Sequence, residues 1–309
     1  MEDVINEQIS DSNRTWKPYY NYNLSKENAG SIDTVIAAYF ELTKIYPHSE
    51  VAAESFLRIG KINFYKKNDP DAAEENFIKI ISEFQVSRFT FDAREDLAEI
   101  NLLKGDLEKA KTYLEEIVEN RAVPEDKKNN AKYNLAKIEF FKNNFSPTKN
   151  LLNEILNNLK DNTANDAIEM SLLLNTTMND SSNLIIFSSG ELLAAQKKFD
   201  EAVEKYKQLS DNPKAFMLQN LAKIREAEMQ LALDNYNESV KLLEQLTDEF
   251  EKNIYADKAL YLLGKIYQFG YKDSFKAIEI YEKLLAKFPD SLYLDAAREE
   301  ILKLRNKLS

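Results

Sequence analysis

The chain has 309 residues, 44% of them hydrophobic and 30% charged, a balance typical of a folded protein and not of low-complexity disorder. Its 41 Lys and Arg residues against 52 Asp and Glu residues give a net charge of -11, the wrong sign for a broad nucleic-acid-binding face. With 6 Gly and 7 Pro the chain has too few turn formers for a β-sandwich or barrel, so we predict an all-α fold.

The N-terminal segment, residues 1–30, is polar and has no helical period, and we predict that it forms an arm. The chain as given begins with neither the basic nor the apolar segment of a secretory signal, and we expect no transmembrane span. It contains no Cys, which excludes disulfides, thiolate nucleophiles and Cys-based zinc sites.

From residue 31 onward the chain repeats one pattern, in which a small residue within a helix is followed by a second small residue and then by a large apolar one. The first small residues are Gly60, Ala98, Ala136, Gly190, Ala227 and Gly264. The large residues are Phe77, Leu114, Leu152, Tyr206, Leu243 and Tyr281. Two antiparallel helices approach closely only where small side chains meet, and the large residue fills the space beside them. Because one pair cannot bury its own apolar face, the pattern predicts a stack of pairs, an α-solenoid.

The repeat places the helices along the chain. We predict helix pairs near residues 50–84, 88–120, 125–159, 183–209, 214–250 and 255–287, followed by a closing helix at 292–308. The interval between Ala136 and Gly190 is longer than the others by about one helix. We therefore expect an irregular extra helix near 165–178, which interrupts the alternation and divides the solenoid into two arms.

Two segments carry a resemblance to a known family. The sequences LYLLGKIYQFGYKDSFKAIEIYEKLLAKFPDS at 260–291 and LAEINLLKGDLEKAKTYLEEI at 97–117 resemble tetratricopeptide repeats, and the likeness extends over residues 31–309. The resemblance implies a right-handed α-solenoid of antiparallel helix pairs, in which the first helix of each pair lines a concave groove. It also implies a protein or peptide as partner in that groove.

The junctions YPHSEVAAES at 46–55 and FPDSLYLDAA at 288–297 are similar to those in bacterial envelope members of the family, such as the outer-membrane assembly lipoprotein and the Tol-Pal coordinator. This similarity implies a periplasmic or cell-envelope location. The absence of a signal in the chain as given favours the cytoplasm instead, and both locations stay open.

The family's groove positions lie three residues before each first small residue, and one and four after it. We take as candidate groove residues Leu57, Lys61, Phe64, Leu102, Tyr133, Lys137, Phe140, Phe187, Tyr261 and Lys265. Such a groove would hold an extended peptide by apolar anchors, with Lys contacting carboxylates. The alternative is that Phe64 and Phe140 belong to the core between repeats and that the Lys side chains are ordinary solvated charges.

No catalytic, cofactor or metal motif is recognisable. His48 is the only His, and Ala259 stands where a phosphate loop ending at Gly264-Lys265 would need Gly. Neighbouring carboxylates such as Glu95-Asp96 point about 100° apart on a helix, so we interpret them as solvated faces. We therefore predict no enzyme activity, no cofactor and no metal.

The sequence favours a non-enzymatic scaffold that binds another protein or peptide in its concave groove, within an envelope-associated assembly if the junction resemblance holds. Two alternatives stay open. One is an α-helical solenoid enzyme or carbohydrate-binding protein that uses groove aromatics and carboxylates such as Glu95 or Glu228. The other is a self-assembling structural element, a homo-oligomer joined through an exposed solenoid end.

Overall fold

The computed structural model describes residues 29–157, 163–248 and 253–308, and these residues form helices joined by short turns without any strand. The predicted all-α fold is confirmed for this part of the chain. The predicted N-terminal arm lies outside the described residues, apart from its last two residues, which begin the first helix. Among the residues described, no helix has both the length and the apolar character that crossing a membrane requires.

The α-helices are α1 (Ala29–Ile45), α2 (Glu50–Tyr65), α3 (Pro70–Glu83), α4 (Thr90–Lys104), α5 (Leu107–Glu119), α6 (Glu125–Phe141), α7 (Phe145–Leu156), α8 (Thr163–Thr177), α9 (Ser181–Ala195), α10 (Phe199–Ser210), α11 (Phe216–Ala232), α12 (Tyr236–Asp248), α13 (Ala256–Lys265), α14 (Ser274–Lys287) and α15 (Leu294–Leu308). Short 3-10 turns follow α8 and precede α11, and a π-helical turn (Ile266–Gly270) extends α13.

The described chain forms two compact units. The first holds the residues up to Asn179 together with Ala195–Lys197, and the second holds Asp180–Ala194 and the residues from Lys198 onward. The extra helix expected near 165–178 is present as α8, between the pairs α6–α7 and α9–α10, and it belongs to the first unit.

In the first unit, three antiparallel pairs, α2–α3, α4–α5 and α6–α7, pack one after another. Helix α1 packs on α2 at one end, and α8 packs on α6 and α7 at the other. The core is continuous between pairs because Phe77 and Ile80 of one pair cluster with Leu97 and Ile100 of the next. Burial of this shared face is what stabilises each pair.

The second unit repeats this arrangement with α9–α10, α11–α12 and α13–α14. Helices α10 through α15 pack in chain order, each on the next. One hydrophobic cluster runs from Leu243 of α12 through Tyr281 of α14 to Ile301 of α15. The closing helix α15 therefore covers the apolar face of the last pair, as the cap of a solenoid does.

The turn inside each pair has the same backbone conformation in all six pairs. Each turn contains one residue with φ between 53 and 87°, in the left-handed region, directly before the residue that precedes the second helix. These residues are Asn68, Gly105, Asn143, Lys197, Asp234 and Lys272. Asp69, Asp106 and Asp273 then cap the following helices by accepting hydrogen bonds from backbone N–H groups. The recurrence shows that the pairs are repeats of one structural unit.

Small and large residues meet between the helices of a pair, as the sequence pattern predicts. A Cβ atom added to Gly60, Gly190 or Gly264 would lie 2.5, 2.8 or 2.2 Å from the ring of Phe77, Tyr206 or Tyr281, respectively. The other three pairs combine Ala with Leu, as Ala98 with Leu114, Ala136 with Leu152 and Ala227 with Leu243. Within this one chain, therefore, an aromatic ring accompanies Gly and a Leu side chain accompanies Ala.

Successive pairs are also joined by polar contacts at nearly constant separation. Lys104 donates to Asp71, Lys142 to Glu108 and Tyr65 to Glu99, across 33, 34 and 34 residues. In the second unit Tyr271 donates to Asn237 and Ser291 to Asp257, both across 34 residues. Exposed contacts of this kind contribute little energy individually, but their nearly constant separation follows the repeat period of the chain.

Candidate functional site

The first helices of three consecutive pairs, α2, α4 and α6, line a pocket of about 500 Å³ in the first unit. We call it the first-helix pocket. Its polar lining consists of Lys61 and Tyr65 from α2, Glu95, Asp96 and Glu99 from α4, and Asn130, Asn134 and Lys137 from α6, with Lys197 from the segment grouped with this unit. Its apolar lining includes Leu102 and Ile138.

Helical periodicity explains why these side chains converge. Glu95, Glu99 and Leu102 follow one another at intervals of four and three residues, which places them on one stripe of α4. Asn130, Asn134 and Lys137 do the same on α6. Lys61, Glu99 and Lys137 each directly follow the first small residue of their pair, so equivalent positions of consecutive repeats meet in the pocket.

Asp96 is the most buried polar residue of the pocket, with 3% of its surface exposed. The Tyr65 hydroxyl lies 3.0 Å from Asp96 Oδ1 and 2.6 Å from Glu99 Oε2, so one proton is shared between two carboxylates. Lys61 Nζ lies 3.4 Å from Asp96 Oδ2, but this oxygen accepts no hydrogen bond from the described residues. Among the described residues, Asp96 Oδ2 is therefore held by an ion pair with Lys61 at a distance longer than a normal hydrogen bond.

Burial governs the ionisation of the pocket. It raises the pKa of Asp96 to about 7, although Lys61 and the Tyr65 hydrogen bond act in the opposite direction. Burial also raises the pKa of Glu95, against the opposing charge of Lys127. It raises the pKa of Tyr65, and the charges of Glu99 and Asp96 add to the effect. Near neutral pH, Asp96 is therefore divided between its protonated and ionised forms.

This ionisation predicts how the Asp96→Asn variant behaves. Because the pKa of Asp96 in the folded state lies above its unfolded value of about 3.9, its ionisation destabilises the fold as pH rises from about 4 to about 7. Asp96→Asn lacks this titration. Its free energy of unfolding, compared with that of wild type, should therefore increase by about 1 to 3 kcal/mol from about pH 4 to about pH 8. Urea unfolding at both pH values measures this gain.

The matched control is Glu119→Gln, which alters an exposed carboxylate at the end of α5. It should follow the wild-type pH profile. If Asp96→Asn also follows that profile, the burial and charge environment described for Asp96 are wrong.

The two Asn side chains of α6 differ in their contacts. Asn130 donates to Glu95 Oε1. Asn134 lines the pocket and makes no hydrogen bond to another described residue. Its amide therefore offers both a donor and an acceptor to a bound molecule.

The structure brings only some of the predicted groove residues together. Lys61, Leu102 and Lys137 line the first-helix pocket. Tyr133 is partly buried on α6. In the second unit Tyr261 stacks on Tyr293, which directly precedes α15, with ring centroids 4.9 Å apart. Lys265 Nζ is 3.2 Å from Glu300 Oε1 of α15.

Four of the predicted groove residues are in the hydrophobic interior, which corrects their assignment to an open groove. Leu57, Phe64, Phe140 and Phe187 are 1 to 6% exposed. Phe140 packs on Phe145, and Phe187 packs on Tyr206, with centroids 5.7 and 5.8 Å apart. Both rings face the second helix of their own pair. These four residues are part of the core, as the alternative interpretation of Phe64 and Phe140 predicts.

The interpretation of Glu95-Asp96 as a solvated face is also wrong, because Asp96 is buried and both residues line the pocket. Tyr65, Asn130 and Asn134 also line the pocket, and the repeat pattern does not predict them as site residues. The available signal was the four-residue spacing of Glu95 with Glu99 and of Asn130 with Asn134 on two consecutive first helices. In the described residues, no group of three or more His, Asp or Glu side chains is arranged to hold a metal ion.

Two segments of the chain match sequence models of a known family. Residues 62–127, which run from α2 into α6, and residues 258–291, which cover most of α13 and α14, match sequence models described as tetratricopeptide repeat. Comparison with curated proteins finds no significant match. Tetratricopeptide repeats commonly mediate protein–protein interaction, and the matches carry no information on an envelope setting. The matched segments, one in each compact unit, support the tetratricopeptide repeat family for this chain.

Proposed function

We propose that this protein is a non-enzymatic scaffold that binds an extended segment of another protein in the first-helix pocket. One observation carries the proposal. Two consecutive first helices, α4 and α6, direct Glu99 and Asn134 into one pocket, and these side chains have hydrogen-bonding capacity that the described chain does not use.

The mechanism is recognition by a pre-organised surface. The amide of Asn134 can donate to and accept from the peptide backbone, while Leu102 and Ile138 provide an apolar contact. The helices that hold these residues are fixed by the shared core of the first unit. A rigid site loses little conformational entropy on binding, so more of the contact energy appears as affinity.

An enzymatic or carbohydrate-binding role is the second candidate, because Glu95 and Asp96 both have raised pKa values in one pocket. Asp96 is almost inaccessible, however, and the Tyr65 hydroxyl is engaged with two carboxylates. Glu228 fits this role poorly. Burial would raise its pKa, but Arg225 and Lys258, each 2.9 Å away, hold that pKa below its usual range.

The setting and the assembly state are further parts of the proposal. The aromatic-Pro-x-Ser junctions at 46–49 and 288–291 support an envelope-associated assembly. Self-association remains the competing structural role, and light scattering at two protein concentrations tests it. A mass that stays that of one chain would contradict self-association.

Site-specific photocrosslinking tests where the partner binds. A photoreactive residue at Leu102, in the pocket, should capture a partner protein from native lysate, whereas one at Glu119 on α5 should not. Capture at Glu119 with equal yield would contradict the pocket as binding site.

The Asn134→Ala variant is expected to weaken binding of the captured partner about 3- to 10-fold without changing stability, since one hydrogen bond to the ligand is lost. Asn153→Ala, on the second helix α7, is the matched control because its side chain is exposed. Titration calorimetry and thermal unfolding measure the two effects. Unchanged affinity in Asn134→Ala would remove Asn134 from the site.

A further inference from the structure

Five of the turns that join consecutive pairs, or the last pair to α15, share one hydrogen bond. A Ser or Asn side chain accepts it from the backbone N–H group two residues later, and the residue between the two is exposed. In the first unit that residue is Arg88 before α4 and Arg121 before α6. In the second unit it is Pro213 before α11, Ile254 before α13 and Leu292 before α15. The same position is therefore charged in the first unit and apolar in the second.

These turns give the second unit a row of exposed apolar side chains, Phe216, Ile254 and Leu292, which we call the apolar edge. Phe216, at the start of α11, is 72% exposed, and Ile254 and Leu292 are 81% and 95% exposed. Because α11, α13 and α15 contribute to one hydrophobic cluster, the beginnings of these helices lie side by side. Large apolar side chains exposed in a row are typical of a surface that another molecule covers.

Charged residues stand at both ends of the apolar edge, with opposite signs at equivalent positions. Two residues before the apolar one, the chain has Lys214 at the Phe216 end and Asp290 at the Leu292 end. Five residues before it, the signs are reversed, with Asp211 at the first end and Lys287 at the second. All four charged side chains are exposed. Lys214 and Asp290 form no ion pair with another described residue.

We propose that the apolar edge is a dimer interface, covered by a second copy of this chain in antiparallel orientation about a two-fold axis. Such an interface uses the same patch on both copies, so the patch must complement itself. In this arrangement Ile254 meets Ile254 of the second copy at the axis. Phe216 of each copy packs against Leu292 of the other.

The charges at the two ends select this orientation. In the antiparallel dimer Lys214 faces Asp290 of the second copy, and Asp211 faces Lys287. The two-fold axis makes each of these contacts occur twice. A parallel arrangement would oppose like charges at all four positions, which is unfavourable.

Dimerisation at this edge is independent of the proposed function, because the edge is in the second unit and the first-helix pocket is in the first. A contact made by a few side chains from each copy is at the small end of specific interfaces. We therefore expect a reversible dimer with a Kd of about 10 to 1000 μM.

Sedimentation equilibrium of the full chain tests the interface. Wild type should form a dimer as its concentration rises, whereas Ile254→Asp should weaken dimerisation about 10-fold or more, because it places two carboxylates together at the axis. Val86→Asp is the matched control, since Val86 is 100% exposed in the turn before α4 of the first unit. It should dimerise as wild type does. A wild-type mass that stays that of one chain up to about 1 mM, or equal weakening by both substitutions, would overturn the proposal.

Reversal of charge tests the antiparallel orientation and does not depend on Ile254→Asp remaining folded. Lys214→Glu and Asp290→Lys should each weaken dimerisation about 3- to 30-fold, because each opposes like charges twice. An equimolar mixture of the two variants should dimerise more strongly than either alone, since the mixed dimer restores an opposite-charge pair at both ends. A mixture that dimerises no better than the separate variants would overturn the antiparallel arrangement.

Photocrosslinking from Leu292 in native lysate separates a second copy from other occupants. The proposal predicts a crosslinked product that contains two copies of this chain, and its yield should fall in Ile254→Asp but not in Val86→Asp. Capture of a different protein, without capture of this chain, would overturn the dimer and assign the apolar edge to that protein.

Discussion

Gly264→Ala is expected to lower the free energy of unfolding by about 1 to 3 kcal/mol, although it adds only one methyl group. The added Cβ would lie 2.2 Å from Cε1 of Tyr281. Tyr281 is fully buried, and its hydroxyl donates to Gln268 Oε1 at 2.8 Å, so the ring cannot move aside without losing packing and a hydrogen bond. Urea unfolding measures the change.

Gly270→Ala is the matched control for this prediction. At Gly270 an added Cβ would have its nearest neighbour at 3.5 Å, an ordinary contact, and we expect stability to stay within about 0.5 kcal/mol of wild type. Equal free energies of unfolding for the two variants would contradict the close packing described for Gly264.

A second substitution should partly rescue Gly264→Ala. Adding Tyr281→Leu copies the combination of Ala98 with Leu114 that another pair of the same chain uses. We expect the free energy of unfolding of the double variant to exceed, by about 1 kcal/mol or more, the value obtained by adding the effects of the two single substitutions. Additive effects would mean that the two positions do not interact.

Phe140→Ala is expected to lower the free energy of unfolding by about 3 to 5 kcal/mol, because it removes a ring that is 2% exposed and leaves a cavity. The ring packs on Phe141 and Phe145 within the first unit. Chemical denaturation measures the loss. The folded fraction should still bind the partner with wild-type affinity, since Phe140 lies away from the pocket lining.

Leu102→Ala provides the contrasting variant. Leu102 is partly exposed and lines the pocket, so its truncation should cost about 1 kcal/mol or less in stability but weaken partner binding. If Phe140→Ala is as stable as wild type and loses the partner, Phe140 belongs to the binding surface and not to the core.

The helix pairs could be predicted because their determinants are local in sequence. A small residue and a large residue within one pair, such as Gly264 and Tyr281, meet directly. The burial of the side chains at the candidate groove positions could not be predicted in the same way. Helical period shows which face Phe140 occupies, but not that Phe145 of the next helix covers that face.

The candidate site depends on contacts between repeats, which local pattern does not show. Tyr65 reaches Asp96 across 31 residues, and Asn130 reaches Glu95 across 35. On an isolated helix, adjacent carboxylates such as those of Glu95 and Asp96 point in different directions. The neighbouring helices α2 and α6 supply the partners that turn this segment of α4 into a pocket wall. The regular separation of these contacts could have revealed the site if consecutive first helices had been aligned.

Hydrogen–deuterium exchange of the full chain, with and without its captured partner, tests the central claim most directly. The account predicts slower exchange on binding at the pocket-lining segments of α2, α4 and α6, and this protection should weaken in Asn134→Ala. Protection confined to the second helices α3, α5 and α7, or to the second unit, would contradict the first-helix pocket as the partner site.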